Sequence, residues 1–404
     1  MVIFLVLMFI GLLGKANVGK STFFSAATET AVAIGNYPFT TIEPNIGVTY
    51  VKTKCACKHF GISHQNPACL DGIRLVPVKI IDVAGLVPGA HEGKGLGNRF
   101  LDDARQADVL IHVIDVAGTT DIQGQPVPAG THNPMEDVEF VENEFNQWFK
   151  QILMREWQKL IKEILQKTAT LVEGITRRFS GLGIKDYQVS DLLKETGLAL
   201  KKPTDWSEDD ILLFVTKLRK KTKPVLIAAN KADLCKDLSI IEKIKKENHV
   251  VTCSAESELL LRKASKANLI KYVPGETSFV LSNESTINPQ QKQALDLVKS
   301  VMTKIQTTGV QSAINYAVFD VLKYITVYPV EDETKLSNKD GVVLPDARLL
   351  PEGSTAKELA FTIHADLAKG FLHAIDAKTK QRISGDHILK DGDVIKIISS
   401  MSRG

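Results

Sequence analysis

The feature that most constrains this chain is a loop near its start, residues 14–21, which reads GKANVGKS and fits the pattern G-x-x-x-x-G-K-S. The apolar run 2–13 precedes it, and residues 22–27 are typical of the opening of a helix. Between a strand and a helix, such a loop aims successive backbone N–H groups at phosphate oxygens. Its glycines permit the sharp turn and the close approach of the ligand. The pattern therefore predicts a nucleotide-phosphate site on an α/β fold.

Individual residues of this loop have separate predicted roles. We expect Lys20 to reach the β and γ phosphate oxygens and the Ser21 hydroxyl to ligate Mg²⁺, and we also count Lys20 among the catalytic candidates. The other positions predicted to contact the nucleotide are Asn17, Val18, Gly19 and Thr22. The alternative is a chance glycine-rich turn, which the strand–loop–helix context disfavours.

Length and composition limit the class of protein. A chain of 404 residues can form two or three domains, each with its own core. Its 44% hydrophobic and 24% charged residues are ordinary for a soluble protein, and a net charge of +3 does not by itself indicate nucleic acid. Five cysteines without an export signal favour a reducing cytoplasm over a disulfide framework.

Residues 1–13 are almost wholly apolar, so a membrane signal has to be weighed against a buried strand. The segment has no basic leading part, is shorter than the ~20 residues that span a bilayer, and runs directly into the phosphate loop. We therefore expect a buried parallel strand and no membrane partner. Since a strand needs only about six residues, Met8 is an alternative start to Met1.

Polar motifs follow successive predicted strands. Strands are expected near residues 46–51, 76–81, 108–116, 224–229 and 250–253. Strands that alternate with helices predict a doubly wound parallel sheet. Ligands of such sheets bind beyond the carboxyl ends of the strands, which is where these motifs fall.

Two of the motifs suit the metal and the γ-phosphate. Thr41, or failing that Thr40, can give a hydroxyl to Mg²⁺ once a γ-phosphate is present. Asp82 ends its strand where a carboxylate would hold Mg²⁺ through water, and the Gly85 N–H can meet the γ-phosphate. Thr41 and Gly85 are therefore catalytic candidates beside Lys20, and the predicted metal ligands are Ser21, Thr41 and Asp82.

The next two motifs suit the base. Residues 230–233 read Asn230-Lys231-Ala232-Asp233 and fit N-K-x-D. Asp233 can accept two hydrogen bonds from the guanine N1 and exocyclic amine, a pairing that adenine cannot offer. The Lys231 stem can cover the ring, and Ser254 with Ala255 can present a backbone N–H to the guanine O6. The sequence therefore favours GTP over ATP.

The long segment between the third and fourth predicted strands does not fit one crossover. Apolar residues at three- and four-residue spacing over 145–165 predict an amphipathic helix of several turns. We divide the chain into a first part of the nucleotide domain (1–129), a helical insertion (130–205), a second part with a helical extension (206–317) and a β-rich module (318–404). Residues 150–202 hold 11 Lys or Arg against 6 Asp or Glu, which indicates either a solvated helix face or a surface for RNA.

Together these motifs resemble those of the translation-factor-related GTPases of the Obg superfamily, and within it the YchF-like branch. The residues that carry the resemblance lie at 14–22, 37–45, 82–90, 92–98 and 365–371. The insertion is similar to the extra helical domain of that branch, and the end of the chain to its TGS module, a β-grasp fold. The resemblance implies GTP and GDP as ligands with Mg²⁺, and nucleotide hydrolysis coupled to ribosome or RNA association in the cytoplasm, with no stable oligomer.

The resemblance also implies limits on hydrolysis and on base choice. Many YchF-like proteins lack a standard N-K-x-D motif and accept ATP, whereas Asp233 completes the motif here. Leu86 stands where Ras-like switches have a water-orienting glutamine, so intrinsic hydrolysis should be slow. His91 and the Thr41 backbone are candidates for positioning water, and His91 is equally compatible with an exposed loop residue without a role.

Two signals leave alternatives open. In related GTPases with asparagine at the position of Asn17, a bound K⁺ supplies positive charge; Asn17 is equally suited to stabilising the loop turn. Cys55, Cys57 and Cys69, with His59 and His64 between them, could make a tetrahedral zinc site. However, C-x-C is tighter than the usual C-x₂-C knuckle, so reduced and partly buried thiols are the default.

Two other functions compete with a GTPase. A nucleotide kinase would need a second substrate site with convergent arginines, and no such cluster is evident in the sequence. A nucleotide-gated scaffold would bind GTP with hydrolysis incidental. Stimulation of turnover by ribosomes or RNA distinguishes a switch from a scaffold.

Overall fold

The computed structural model describes residues 8–29, 45–64, 66–83, 103–282 and 287–401. Some positions that the sequence analysis singled out lie outside these residues, namely Thr40, Thr41, Gly85, Leu86 and His91. The other predicted site residues are all described. Strands and helices are numbered in chain order.

The largest sheet has seven strands: β1 (Phe9–Leu13), β2 (Ile46–Lys54), β3 (Cys69–Leu70), β4 (Ile73–Asp82), β5 (Val109–Asp115), β6 (Val225–Asn230) and β7 (His249–Thr252). Their order is β2-β4-β1-β5-β6-β7, with β3 paired to β4. Strands β4, β1, β5, β6 and β7 run parallel, which confirms the predicted α/β fold. Every residue of β5 is buried, as expected for a central strand covered on both faces.

The sheet is parallel except at one edge. Strand β2 runs antiparallel to β4 in a ladder from the pair Ile46/Ile81 to the pair Lys54/Ile73, and β3 is also antiparallel to β4. The reason is the connection 55–72, which returns the chain directly beside the strand it has left. An antiparallel pair of this kind needs no crossover helix.

The helices that accompany this sheet and its extensions, and whose bounds both lie in the described ranges, are α1 (Lys20–Thr28), α2 (Ala56–Phe60), α3 (Pro134–Met154), α4 (Trp157–Leu165), α5 (Leu171–Arg178), α6 (Asp186–Glu195), α7 (Glu208–Thr222), α8 (Ser239–Lys245), α9 (Ala255–Lys266), α10 (Pro289–Ile305) and α11 (Val310–Tyr316). A two-stranded ribbon, β8 (Ile270–Lys271) and β9 (Val280–Leu281), precedes α10. No helix among the described residues combines the length and the apolar content needed to cross a bilayer.

The predicted amphipathic helix over 145–165 is in fact two helices, α3 and α4. The break lies at Glu156, whose φ of 56° is left-handed and cannot continue a helix. Arg178 stabilises the break from α5, because its guanidinium donates to the carbonyl oxygens of Arg155 (2.9 Å) and Glu156 (2.8 Å). Both helices still bury the predicted apolar face, including Phe145, Phe149 and Leu160.

The insertion and α7 share one apolar cluster with the seven-stranded sheet. Phe149 of α3 and Phe214 of α7 belong to the same cluster as Leu13 of β1 and Leu110 of β5. Helix α7 begins with a capping box in which the Ser207 side chain accepts from an N–H of the first turn. The helical segment therefore rests directly on one face of the sheet.

The end of the chain forms a separate five-stranded sheet with the order β11-β10-β14-β12-β13. The elements are β10 (Tyr324–Val330), β11 (Arg348–Pro351), α12 (Ala356–Ile363), α13 (Ala365–Lys369), β12 (Phe371–Asp376), β13 (Arg382–Ile383) and β14 (Val394–Ser399). Helix α12 packs Leu359 and Ile363 against Val327, Ala374 and Ile395 of the sheet. One helix held by a mixed sheet confirms the predicted β-grasp module.

Candidate functional site

The loop 14–21 has the backbone that its glycines predict. Gly14 and Gly19 have φ values of 154° and 91°, and α1 begins at Lys20. A Cβ on Gly14 would lie 2.5 Å from the Val113 carbonyl oxygen, and a Cβ on Gly19 would lie 2.4 Å from the Asn230 Nδ2. Contacts with two neighbouring strands thus require glycine at both positions.

Lys20 and Asp82 form an ion pair at this edge of the sheet. The lysine is on the first turn of α1 and the aspartate ends β4, so the pair joins the residue predicted to bind phosphate with a predicted metal ligand. Both side chains keep contact with solvent, with 14% and 23% of their surfaces exposed. Ser21 is exposed next to them.

Asn230 connects the phosphate loop with the two base motifs. Its Nδ2 donates to the Val18 carbonyl oxygen (2.9 Å), and its Oδ1 accepts from the Ala255 N–H (2.9 Å). The side chain is buried. A single amide, fixed at both ends, therefore holds the loop, the end of β6 and the start of α9 at one edge.

Lys231 and Asp233 follow Asn230 but point to different surroundings. Lys231 has a φ of 60°, and its Nζ donates to Asp115 Oδ2 and Thr119 Oγ1, each at 3.0 Å. Asp233 is exposed. The structure thus brings the N-K-x-D side chains to the same edge as the phosphate loop and leaves the aspartate open to a ligand.

Ser254 and Ala255 lie beside this motif with their backbone N–H groups already engaged. The Ala255 N–H donates to Asn230, and the Ser254 N–H donates to the Thr308 carbonyl oxygen (2.8 Å). Either group has to leave its partner before it can meet a guanine oxygen. The predicted hydrogen bond to O6 stays a prediction.

The sequence analysis missed Asp115, which ends β5 and is fully buried. Its carboxylate accepts from the N–H groups of Ala117 (3.1 Å) and Thr119 (3.0 Å), from two threonine hydroxyls, and from Lys231. It therefore fixes the lysine of the base motif. Its position at a strand end, like that of Asp82, was the one signal that could have found it.

The segment after β5 also contacts the phosphate loop, which the sequence did not indicate. The buried Lys15 donates to Asp137 Oδ1 (2.8 Å) on α3 and to the Thr120 carbonyl oxygen (3.1 Å). Asn17 Nδ2 donates to the Gly124 carbonyl oxygen (2.9 Å). This contact is what the loop-stabilising interpretation of Asn17 requires, and it leaves the K⁺ interpretation untested.

One buried group behind the loop has a strongly shifted acidity. Burial, together with the nearby positive charge of Lys15, lowers the pKa of His112 on β5 to about 3. The imidazole is therefore neutral at physiological pH, and no second positive charge lies under the loop at this point.

Comparisons with known proteins agree with this arrangement. A family model described as 50S ribosome-binding GTPase matches residues 9–178. A model described as Obg-like GTPase YGR210-like, G4 motif-containing domain, matches residues 228–332, and the TGS domain model matches residues 341–399.

Similar proteins match along nearly the whole chain. An uncharacterized GTP-binding protein, MJ1332 of Methanocaldococcus jannaschii, is 48% identical over 396 residues, covering 97% of this chain and 99% of the relative. Obg-like ATPase 1 of Homo sapiens is 26% identical, covering 96% and 91%. A crystal structure of a GTP binding protein from Pyrococcus horikoshii OT3 has a TM-score of 0.76 at 40% identity, covering 97% and 100%.

Proposed function

Because the chain belongs to the Obg-like GTPases, in the YchF-like branch that carries a TGS domain, we propose that it binds GTP and hydrolyses it to GDP and phosphate with Mg²⁺. The observation that carries the proposal is the Asn230 amide, which links the phosphate loop to both base motifs. A nucleotide along this edge would have its phosphates on the loop and its base beside Asp233.

The ion pair at the edge of the sheet supports the phosphate and metal roles. With nucleotide bound, Lys20 would contact the β and γ phosphates instead of Asp82, and Ser21 and Asp82 would hold Mg²⁺, which would neutralise charge on the phosphates. Lys20 and Asp82 form an ion pair, so both charged groups lie at the edge of the sheet where the proposed nucleotide needs them.

Guanine is the proposed base because Asp233 is exposed beside the loop and completes N-K-x-D. A relative is named an ATPase, so ATP is the specific alternative. Calorimetric titration with GTP and ATP decides between them. We expect tighter GTP binding, lost in Asp233→Ala and kept in Glu242→Ala, which removes an exposed carboxylate from α8. Equal affinity for both nucleotides in the unsubstituted chain would refute the assignment.

We expect GTP hydrolysis to proceed by in-line attack of water and to be slow unless another group or a partner positions that water. Thr41 would complete the Mg²⁺ ligands and Gly85 would donate its N–H to the γ-phosphate, while Leu86 cannot orient water. Unchanged turnover in Leu86→Ala agrees with this proposal, and a small loss in His91→Ala removes His91 as a candidate. Equal hydrolysis rates in K⁺ and Na⁺ buffers would exclude a K⁺ role at Asn17.

The bound nucleotide is proposed to control association with a ribosome or RNA in the cytoplasm. The part of the helical insertion (130–205) with an excess of basic residues, 150–202, and the β-grasp module (318–404) are the surfaces that we assign to this partner. Sedimentation with ribosomes in GTP-analogue, GDP and nucleotide-free states tests the assignment. Cosedimentation only with the GTP analogue is the expected result. A separate measurement of GTP turnover with and without ribosomes or RNA tests the alternative, because no stimulation would favour the nucleotide-gated scaffold.

A further inference from the structure

Four side chains that commonly bind metals meet at the opposite end of the β2–β4 pair from the nucleotide edge. They come from the N-cap and first turn of α2, from the segment after it and from β3: Cys55, Cys57, His64 and Cys69. Their ligand atoms all lie within 4.8 Å of one another, and this set is called the Cys₃His cluster below. The proposed nucleotide chemistry uses none of them.

Two distances within the cluster match the lengths of edges of a coordination tetrahedron. Cys55 Sγ lies 3.5 Å from His64 Nε2, and Cys57 Sγ lies 3.9 Å from Cys69 Sγ. With Zn–S of about 2.3 Å and Zn–N of about 2.0 Å, a tetrahedral ion separates S from N by about 3.5 Å and S from S by about 3.8 Å. A disulfide would need the two sulfurs at about 2.05 Å.

The turn between β3 and β4 holds Cys69 beside the other members of the cluster. Gly72 in this turn has a φ of 85°, a left-handed backbone conformation that suits glycine.

A buried charge beside the cluster lacks the partner that a metal site would supply. Arg74 pairs directly with Cys69 in the β3–β4 ladder, which puts both side chains on one face of the sheet. Its guanidinium is fully buried, donates to the Pro345 carbonyl oxygen (3.1 Å), and leaves Nε and Nη1 without a hydrogen bond. Among the described residues no carboxylate forms an ion pair with it. Three thiolates, one neutral imidazole and Zn²⁺ carry a net charge of −1, which would balance Arg74.

We propose that the Cys₃His cluster binds one Zn²⁺ as a closed structural site. Binding would release three thiol protons to solvent and complete four protein ligands, leaving no open position for catalysis. Soft sulfur ligands in a tetrahedron select zinc over Mg²⁺ or Ca²⁺.

The position of the site indicates the structural role that the bound metal would have. Cys55 and Cys57 belong to the same apolar cluster as Tyr328 and Val394 of the C-terminal sheet. The Tyr328 hydroxyl donates to the Lys54 carbonyl oxygen (2.9 Å), and Asn66 Nδ2 donates to the Leu344 carbonyl oxygen (2.8 Å). The metal would therefore fix the surface of the β2–β4 pair on which the β-grasp module rests.

The test is the metal content of the full-length chain, prepared under reductant with equimolar Zn²⁺ and then desalted. We expect one zinc per chain, and a Co²⁺-substituted sample with the intense visible bands of tetrahedral sulfur coordination. The spectrum needs no variant, so it reads out the site even where a substitution prevents folding. Chain without stoichiometric zinc, or a Co²⁺ spectrum of octahedral type, would overturn the proposal.

Two matched variants locate the metal. Cys69→Ser should lose the zinc, while His59→Ala, which removes an exposed imidazole from α2 outside the cluster, should keep it. Equal zinc in both variants would refute the assignment of ligands.

Discussion

The charged side chains at the two ends of β4 differ in solvent exposure and in ion pairing. At Asp82 the carboxylate meets Lys20 and both side chains keep contact with solvent. At the other end, Arg74 is fully buried beside the Cys₃His cluster and has no carboxylate partner among the described residues. An exchangeable ligand can displace an ion pair that remains hydrated. A buried charge without an opposite charge lowers the free energy of unfolding until an opposite charge compensates it. One end therefore suits an exchangeable ligand and the other a permanent one.

The largest expected effect concerns a charge that lies in the phosphate loop but is buried. It tests whether burial, rather than position at the nucleotide edge, decides how much a charged residue contributes to stability. Lys15 lies in the phosphate loop but forms a buried pair with Asp137. Lys15→Met should lower the free energy of unfolding by about 3 kcal/mol, because the buried Asp137 carboxylate loses its lysine and keeps only its contact with His132 (2.8 Å). Urea denaturation gives the value. The double variant Lys15→Met/Asp137→Leu should recover part of the loss, and a single variant as stable as the parent would contradict the comparison.

The second effect concerns the exchangeable end. Lys20→Ala should weaken GTP binding roughly hundredfold, since a charge-assisted contact with phosphate is worth about 1.5–3 kcal/mol. Stability should change by less than about 1 kcal/mol, because Asp82 can be hydrated when its partner is removed. Calorimetry and urea denaturation measure the two quantities. Lys54→Ala, an exposed lysine at the far end of β2, is the control and should leave both unchanged.

The third effect sharpens the buried end. Arg74→Met keeps an unbranched apolar stem but removes the charge that would balance a zinc site of net charge −1. The apparent zinc affinity, measured by competition with a chromophoric chelator, should fall about tenfold, as for other residues that support metal ligands without binding the metal. Nucleotide affinity should stay unchanged because Arg74 lies at the other end of β4 from Asp82. An unchanged zinc affinity would show that the charge of Arg74 does not support the metal.

These two ends also differ in how far the sequence could predict them. The phosphate loop, Asp82 and the N-K-x-D segment carry their geometry in local spacing, so the fold class and the strand-end motifs were predictable. The Cys₃His cluster has no such spacing, because β3 and the β2–β4 pairing bring Cys69 to the other ligands. The sequence analysis missed Asp115 for a related reason. A single aspartate at the end of a strand matches no motif, and its partner Lys231 is known only from the fold.

The smallest expected effect is a pH dependence that involves neither end of β4. Burial lowers the pKa of His112 to about 3, whereas in the unfolded chain it is about 6.5. The unfolded state therefore binds more protons between these values, so stability is complete above about pH 6.5 and falls as the pH decreases toward 3.

Between pH 7 and 5.5 this single group should remove about 1 kcal/mol of the free energy of unfolding. Urea denaturation at both pH values measures the change. In His112→Gln the neutral side chain binds no proton, so the difference between the two pH values should shrink by that amount, while His59→Ala should keep it because that imidazole is exposed. If the pH difference were the same in His112→Gln and in the parent, protonation of this buried imidazole would not change the free energy of unfolding. Below about pH 6.5 the phosphate loop would then have two positive charges beneath it, His112 and Lys15.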